Sequence, residues 1–358
     1  MMIEFAKRLY QRLKGIDWIR KKVNLFRDPD ISLQQLDSIF GHFKDSVDNT
    51  HELIRGLRDK IKPGWQAMLK QEPDFSLPSK NIVASRIRDS RNAVNSLKKV
   101  LSIFGFCIKG KNALEIGCHD GFSTFALAEA GIVNIVGSDI CRYYIDQSVS
   151  GERSKQRKNQ VDSHLESLRN QSKEAFSSIS NLKKNISFVE DDITASNLPS
   201  ESFDLVCSWE TLEHITDIKS AFKHIHRILK PGGIAFHEYN PFFSINGGHS
   251  ICTLDFLWGH ARLNEDDFVR YLKQFRQNEV DVAYRFYKNN LNRMTIMDLN
   301  KFAEDANLIT RTIIPWTKKS HWELLSMDCL KQCSLIYHTV SDIDLISPTV
   351  WVVHEKSK

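Results

Sequence analysis

Ala113-Leu114-Glu115-Ile116-Gly117-Cys118-His119-Asp120-Gly121-Phe122-Ser123 is the stretch that decides the fold of this chain of 358 residues. A short apolar strand carries an acidic residue near its end, and a loop with two glycines then opens a helix. Gly117 permits a tight turn, and Gly121 lets the backbone approach a ligand with no Cβ in the way. Open α/β sheets bind small molecules outside the carboxyl ends of their strands, where this loop would stand. The spacing argues against two alternatives. A P-loop needs G-x-x-x-x-G-K-[ST], which is absent, and a dinucleotide fingerprint needs G-x-G-x-x-G, whereas the glycines here read G-x-x-x-G. Glu115, two residues before the first glycine, would repel a pyrophosphate and suits a ligand with a cationic amino-acid part.

Working outward, strands and helices alternate. Ile87, Val94, Leu97, Val100, Leu101 and Phe104 predict a helix leading into the first strand, Asn112–Gly117. Ile132–Ser138, Ile186–Glu190, Phe203–Ser208 and Ile234–Tyr239 read as further strands, the last after the turn Lys230-Pro231-Gly232-Gly233. Leu308–Pro315 and Thr349–His354 supply two more. The pattern predicts a Rossmann-like α/β fold, a seven-stranded, mostly parallel, doubly wound sheet covered on both faces. Asp139 closes the second strand, where a carboxylate can accept hydrogen bonds from two ribose hydroxyls. Between Asp139 and Phe188 the chain is longer than a strand-helix-strand unit requires. Val161, Leu165, Leu168, Phe176, Ile179 and Leu182 predict a helical insert at about 146–184, with a basic entry at Arg153, Lys155, Arg157 and Lys158.

Residues 1–80 read as a helical N-terminal extension ahead of a domain spanning 81–358. Ile3, Ala6, Leu9, Leu13 and Ile16 recur at helical spacing, as do Leu33, Leu36, Ile39, Phe40, Phe43 and Val47, and then Leu53, Ile54, Leu57 and Ile61 before Pro63-Gly64. The first of these helices is basic and amphipathic. It could lie on an anionic membrane, and the simpler expectation is packing on this protein or on a second copy, a homo-oligomer through the N-terminal helices.

Composition narrows the class. Apolar residues make up 41% and charged residues 26%, with 49 Lys+Arg against 44 Asp+Glu. A net charge of +5 is too small for a nucleic-acid coat protein. Seven cysteines without a C-x-x-C predict neither a disulfide scaffold nor a zinc motif, and reduced thiols fit a cytoplasmic protein. No stretch reaches the ~20 apolar residues of a membrane span, and Glu4, Lys7, Arg8 and Arg12 interrupt any signal-peptide core.

Five motifs in order complete the pattern: the Glu115–Gly121 loop, Val136-Gly137-Ser138-Asp139-Ile140, Phe188-Val189-Glu190-Asp191-Asp192-Ile193, Phe203 to His214, and Leu229-Lys230-Pro231-Gly232-Gly233. Together they resemble the class I S-adenosylmethionine-dependent methyltransferases over roughly Ile82 to His354. The resemblance implies S-adenosylmethionine as cofactor. Glu115, Gly117, Cys118, His119 and Gly121 match the loop around its methionine part, and Asp139 and Ile140 the ribose and adenine contacts. Asp192 and Ile193 match the adenine amino and backbone contacts, with Asp191 an ambiguous neighbour. Ser208 and Trp209 match the methyl end.

The acceptor must lie in line with the activated methyl group, and an oxygen acceptor usually needs a base. A loop at about 240–292 follows the fifth strand on the acceptor side. There His249, after Gly247-Gly248, is the expected base or acceptor-binding residue, with Asp255 and His260 as partners. These three could instead hold a divalent cation, although their spacing matches no metal motif, so no metal is expected. His214, His237 and Glu238 are the reserve candidates. The expected activity is O-methylation of a small molecule or glycan. RNA or protein methylation through the basic insert is the alternative, disfavoured by the absence of a nucleic-acid-binding module. A non-catalytic cofactor-binding scaffold is a third reading.

Overall fold

The computed structural model describes residues 36, 38–69, 75–140, 152–176 and 185–358. The strands and helices that position the site are β1 (Ile39–Lys44), β2 (Thr50–Ile54), α1 (Leu57–Ile61), α2 (Lys80–Ser102), β3 (Asn112–Ile116), α3 (Phe122–Glu129), β4 (Asn134–Asp139), α4 (Glu152–Ala175), β5 (Asn185–Glu190), β6 (Phe203–Trp209), α5 (Ile218–Ile228) and β7 (Leu229–Tyr239). They continue through α6 (Gly259–Arg262), α7 (Glu265–Phe275), α8 (Val280–Asn289), α9 (Ile296–Asp305), β8 (Leu308–Trp316), α10 (Lys319–Leu324), α11 (Met327–Ile336), α12 (Asp342–Ile346) and β9 (Thr349–Lys356).

The main sheet has seven strands in the order β5-β4-β3-β6-β7-β9-β8. β3 pairs in parallel with β4 and β6, and the parallel pairing continues to β5 on one side and β7 on the other. β9 alone runs against its neighbours β7 and β8. The chain therefore winds outward from β3 to β5, returns to β6 and winds the other way. That places a topological switch point between β3 and β6, where open α/β sheets bind ligands.

Strands buried on both faces need apolar side chains on both. In β3, Ala113 joins Phe122, Phe125, Leu205 and Phe236 in one core layer under α2 and α3. Leu114 and Ile116 join Val206, Phe222 and Ile225 in the other, under α5 and α9. α5 shows why this face closes: Ile218, Ala221, Phe222, Ile225 and Ile228 are its buried residues, a stripe at helical spacing. Its N-cap Asp217 accepts from the Ser220 N–H at 3.1 Å, meeting one of the first-turn donors.

The N-terminal expectation needs correction where the structure describes it. Residues 39–54 form an antiparallel hairpin, with Phe43 opposite His51 and Lys44 opposite Thr50. Its turn is held by Asp45, which accepts from the Val47 and Asn49 N–H groups at 3.0 and 2.8 Å. His51 and Leu53 are buried while Thr50 and Glu52 are exposed, so the period is two, not helical. The apolar positions fit both periods, and the Asp45–Asn49 turn breaks any helix through them. The predicted helix from Ile3 to Ile16, and oligomerisation through it, lie outside the described residues.

The hairpin also lacks the separateness expected of an extension. Phe43, Leu53, Leu57 and Ile61 share a third core with Phe242, Phe256, Tyr271 and Tyr287. This cap is mostly helical where a loop was expected at about 240–292, since α6, α7 and α8 occupy that segment. Arg58 seals the join, donating from Nε and Nη2 to the Ser250 carbonyl at 3.1 and 2.8 Å and pairing with Glu279 at 2.9 Å. The helical insert is present as α4. No helix among the described residues is long and apolar enough to cross a membrane.

Candidate functional site

The glycine loop is built around its neighbours' backbone. Gly117 and Cys118 both donate N–H to the Ser138 carbonyl, at 2.8 and 3.0 Å. Gly117 takes φ +75°, and a Cβ there would lie 2.8 Å from Thr211 Cγ2, so both conformation and space demand glycine. His119, at φ +41°, donates its backbone N–H to Asp139 Oδ2 at 2.8 Å. Asp139 is 5% exposed and thus ties the loop to the end of β4. At Gly121 packing also demands glycine: a Cβ would lie 2.7 Å from Phe188 Cζ.

Glu115 is 2% exposed, accepts a hydrogen bond from the Thr124 hydroxyl and braces β3 against α3. Burial pushes its pKa up to about 7. α4 reaches this loop. Arg169 Nε donates to the His119 carbonyl at 3.0 Å with its guanidinium over Phe188, and Ser172 Oγ donates to the Asp120 carbonyl at 2.7 Å. The insert is a brace for the loop.

The other strand ends divide their roles. Ile140 stands partly exposed just after β4. Asp192 Oδ1 accepts from Thr194 N–H and hydroxyl at 3.0 and 2.7 Å, capping a turn that buries Ile193. Asp191 Oδ1 accepts from Asn197 N–H at 3.2 Å, while its Oδ2 is buried with no partner among the described residues. Trp209 Nε1, at the end of β6, is equally buried and unpartnered. Ser208 does not join it. Its hydroxyl shares a 2.8 Å hydrogen bond with Nδ1 of His237, both fully buried on the opposite face of the sheet.

Next to the switch point lies a cavity of about 510 Å³, within the range of small-molecule sites. Glu210, Glu238 and Asn240 line it from the carboxyl ends of β6 and β7, His214, Asn246 and His249 from the cap side, and Ile61, Lys62 and Pro63 from the N-terminal segment. His249 lines this cavity. Its partners do not. Asp255 Oδ2 accepts from Tyr271 Oη at 2.5 Å and from Arg276 Nε and Nη2 at 3.1 and 2.9 Å, tying the cap together. His260 is fully buried, and its Nε2 donates to the Phe242 carbonyl at 2.8 Å. Neither lines the cavity.

His249 departs from expectation in two further respects. Gly247 and Gly248 do not free its backbone for a ligand: a Cβ on Gly248 would lie 2.6 Å from Thr253 N, and one on Gly247 would collide with the Phe242 carbonyl. Burial, with the charges of His214 and Lys62 beside it, lowers its pKa to about 3. A neutral ring at that value is a weak proton acceptor. Its Nε2 is buried without a partner among the described residues, and its ring centroid lies 5.0 Å from that of His214.

Residues 85–310 match the family described as methyltransferase domain, well over half the chain. The chain belongs to that family. With its sheet order and five motifs, it is a class I S-adenosylmethionine-dependent methyltransferase. Curated relatives of this methyltransferase include the mitochondrial ubiquinone biosynthesis O-methyltransferase of Dictyostelium discoideum, 28% identical over 129 residues, 36% of this chain and 35% of that protein. The ubiquinone biosynthesis O-methyltransferase of Coxiella burnetii is 26% identical over 171 residues, 46% of this chain and 59% of that one. Phosphoethanolamine N-methyltransferase 3 of Arabidopsis thaliana is 30% identical over 124 residues, covering 35% of this chain and 20% of that protein. In each case the match spans less than two thirds of the relative.

Within the methyltransferase, three cavity residues were missed or underweighted by sequence reasoning. Glu210 and Glu238 lie one residue past Trp209 and one before Tyr239, and only strand register assigns their side: Trp209 pairs with Glu238, and the Glu210 N–H donates to the Glu238 carbonyl at 2.9 Å. Glu210 takes φ +49°, a conformation uncommon outside glycine. His214 was a reserve candidate, and its position in Leu212-Glu213-His214 was the available signal. Glu213, His214 and His249 each bring one possible metal-ligand atom within 4.8 Å of the others.

Proposed function

We propose that this methyltransferase transfers the methyl group to an oxygen of a small molecule seated in the cavity beside β6 and β7. The observation that carries this reading is the cavity itself, of about 510 Å³ and lined by Glu210, Glu238 and His214 next to the switch point. Its volume suits a small acceptor rather than a protein or RNA surface. The cofactor fits the strand ends by their chemistry: Trp209 Nε1 and Asp191 Oδ2, buried and without a partner among the described residues, stand at the ends of β6 and β5, and Asp139 stands at the end of β4. Gly117, Cys118, His119, Gly121, Asp139, Ile140, Asp191 or Asp192, Ile193 and Trp209 would hold S-adenosylmethionine, with Glu115 acting from behind the loop. When bound, it supplies a methyl group already activated by its sulfonium.

The chain's own residues orient the acceptor and take its proton. As the acceptor oxygen bonds to the methyl carbon, the carbon–sulfur bond breaks, its electron pair returns to sulfur, and the acceptor's O–H proton must leave. Glu238 is the assigned proton acceptor because it alternates out of the buried β7 face into the cavity. His249, held neutral by burial, is a positioning residue for the acceptor. Lys62 and Pro63 line the cavity beside it. The test is a panel of phenols and other hydroxylated small molecules scored for one added methyl mass. On an accepted substrate, Glu238→Gln should lower turnover by roughly 10²–10⁴-fold with cofactor affinity nearly unchanged. Turnover within a factor of about two would remove Glu238 as base, and methylation of amines alone would replace oxygen by nitrogen.

A further inference from the structure

His214 and His249 at the cavity wall, and the buried Glu213 beside His214, have an arrangement that their hydrogen bonds within the protein do not explain. Glu213 is 1% exposed. Its Oε1 accepts from the Asn240 N–H at 3.2 Å, and its Oε2 is buried with no partner among the described residues. A carboxylate oxygen left bare in the interior is costly unless a positive group meets it. Glu210 and Glu238 add to the cost, because both lie close enough to repel the Glu213 charge.

Beside Glu213, the backbone carbonyl of Asn290 takes a hydrogen from His214 Nδ1 at 2.6 Å. Since a carbonyl only accepts, Nδ1 carries the proton and Nε2 carries the lone pair. An imidazole oriented in this way by a backbone carbonyl is the usual supporting arrangement of a metal ligand. His249 presents the third group, a buried Nε2 with no partner among the described residues. One ligand atom from each of the three lies within 4.8 Å of the others.

We propose that Glu213, His214 and His249 bind a divalent transition-metal cation of the zinc type, with an open coordination position facing the acceptor. Two histidines and one carboxylate, with a remaining site for water or substrate, form a donor set such cations take in catalytic centres. Bonds of about 2.0–2.2 Å require the three side chains to draw slightly closer than they stand. The cation meets the bare Glu213 oxygen and offsets the three carboxylates. It would also bind the acceptor oxygen and make its proton easier for Glu238 to remove. This role rests on the reading of the cavity as the acceptor site.

The test uses the full chain, free of any affinity tag and stripped with chelator. Cobalt(II) is titrated and followed by its visible absorption, and zinc(II) is titrated by calorimetry. One equivalent should bind with micromolar or tighter affinity. His214→Ala and His249→Ala should each weaken binding by at least about tenfold, while both stripped variants keep the wild-type thermal midpoint. Glu213→Gln should do the same; if it fails to fold, the two histidine variants decide. No uptake by the wild-type chain overturns the site, as does unchanged affinity in both histidine variants. S-adenosylmethionine is titrated in parallel. Cofactor binding without metal uptake overturns the cation site alone, whereas metal uptake lost in the variants supports the site even where no acceptor is methylated.

Discussion

Glu115 shows how one buried carboxyl can brace the glycine loop. Its carboxyl is buried, takes a hydrogen bond from Thr124, and has its pKa raised to about 7 against an ordinary 4.5. The raised value fixes the sign of its effect on stability. Below the unfolded pKa both states hold the proton and no penalty arises. As pH climbs from about 4.5 to 7 the unfolded chain ionises first, and the folded protein loses up to roughly 3 kcal/mol. Glu115→Gln should remove this loss, so the variant's stability relative to wild type should rise between pH 4.5 and 8. Urea denaturation at both ends of that window measures it; parallel pH profiles would show that Glu115 has the same pKa in the folded and unfolded chain. His249 makes the complementary point. Its place in the cavity was legible because it follows the fifth strand. Its partners were not, because His214 and Glu213 lie on another element and meet it only across the cap.

At the scale of elements, α4 and the β1–β2 hairpin depart most from their sequence reading. One was read as an inserted helix with a basic entry and the other as part of a helical extension, yet the first packs on the glycine loop and the second on the cap. α4 grips the glycine loop through Arg169 and Ser172. Arg169→Ala should loosen the loop and weaken S-adenosylmethionine binding about tenfold, some 1.4 kcal/mol, and calorimetry at a single salt concentration would detect it. An unchanged dissociation constant would show that the loop holds its shape alone. The hairpin supports the cap beside the cavity proposed to hold the acceptor. Leu53 is fully buried in the cap core, so Leu53→Ala should cost about 2–5 kcal/mol by leaving a cavity. Because α1 runs from the hairpin to Ile61 at the cavity wall, the same variant should raise the acceptor KM without weakening cofactor binding. A loss below about 1 kcal/mol would place Leu53 outside the cooperative core.

Over the whole molecule, the methyltransferase is a sheet with two helical faces and a cap that closes one end. The sheet half could be read from the chain alone, because each of its signals is local. A buried strand, a glycine turn and an acid at a strand end lie within a few residues of one another, and alternation of strands with helices admits few topologies. The seven strands, their mostly parallel course and the loop at Gly117 were determined that way. The cap was not, since its core joins residues some two hundred positions apart: Phe43 with Tyr271, and Ser46 with Asp267, whose carboxylate accepts the Ser46 hydroxyl at 2.6 Å. Period alone could not tell a hairpin from a helix at 39–54, and no spacing reveals which of Asp255, His260, His214 and Glu213 will turn toward His249. Local pattern determined the cofactor half of this protein. Long-range packing decided the cap and its cavity, because a cavity is made by surfaces that only the folded chain brings together.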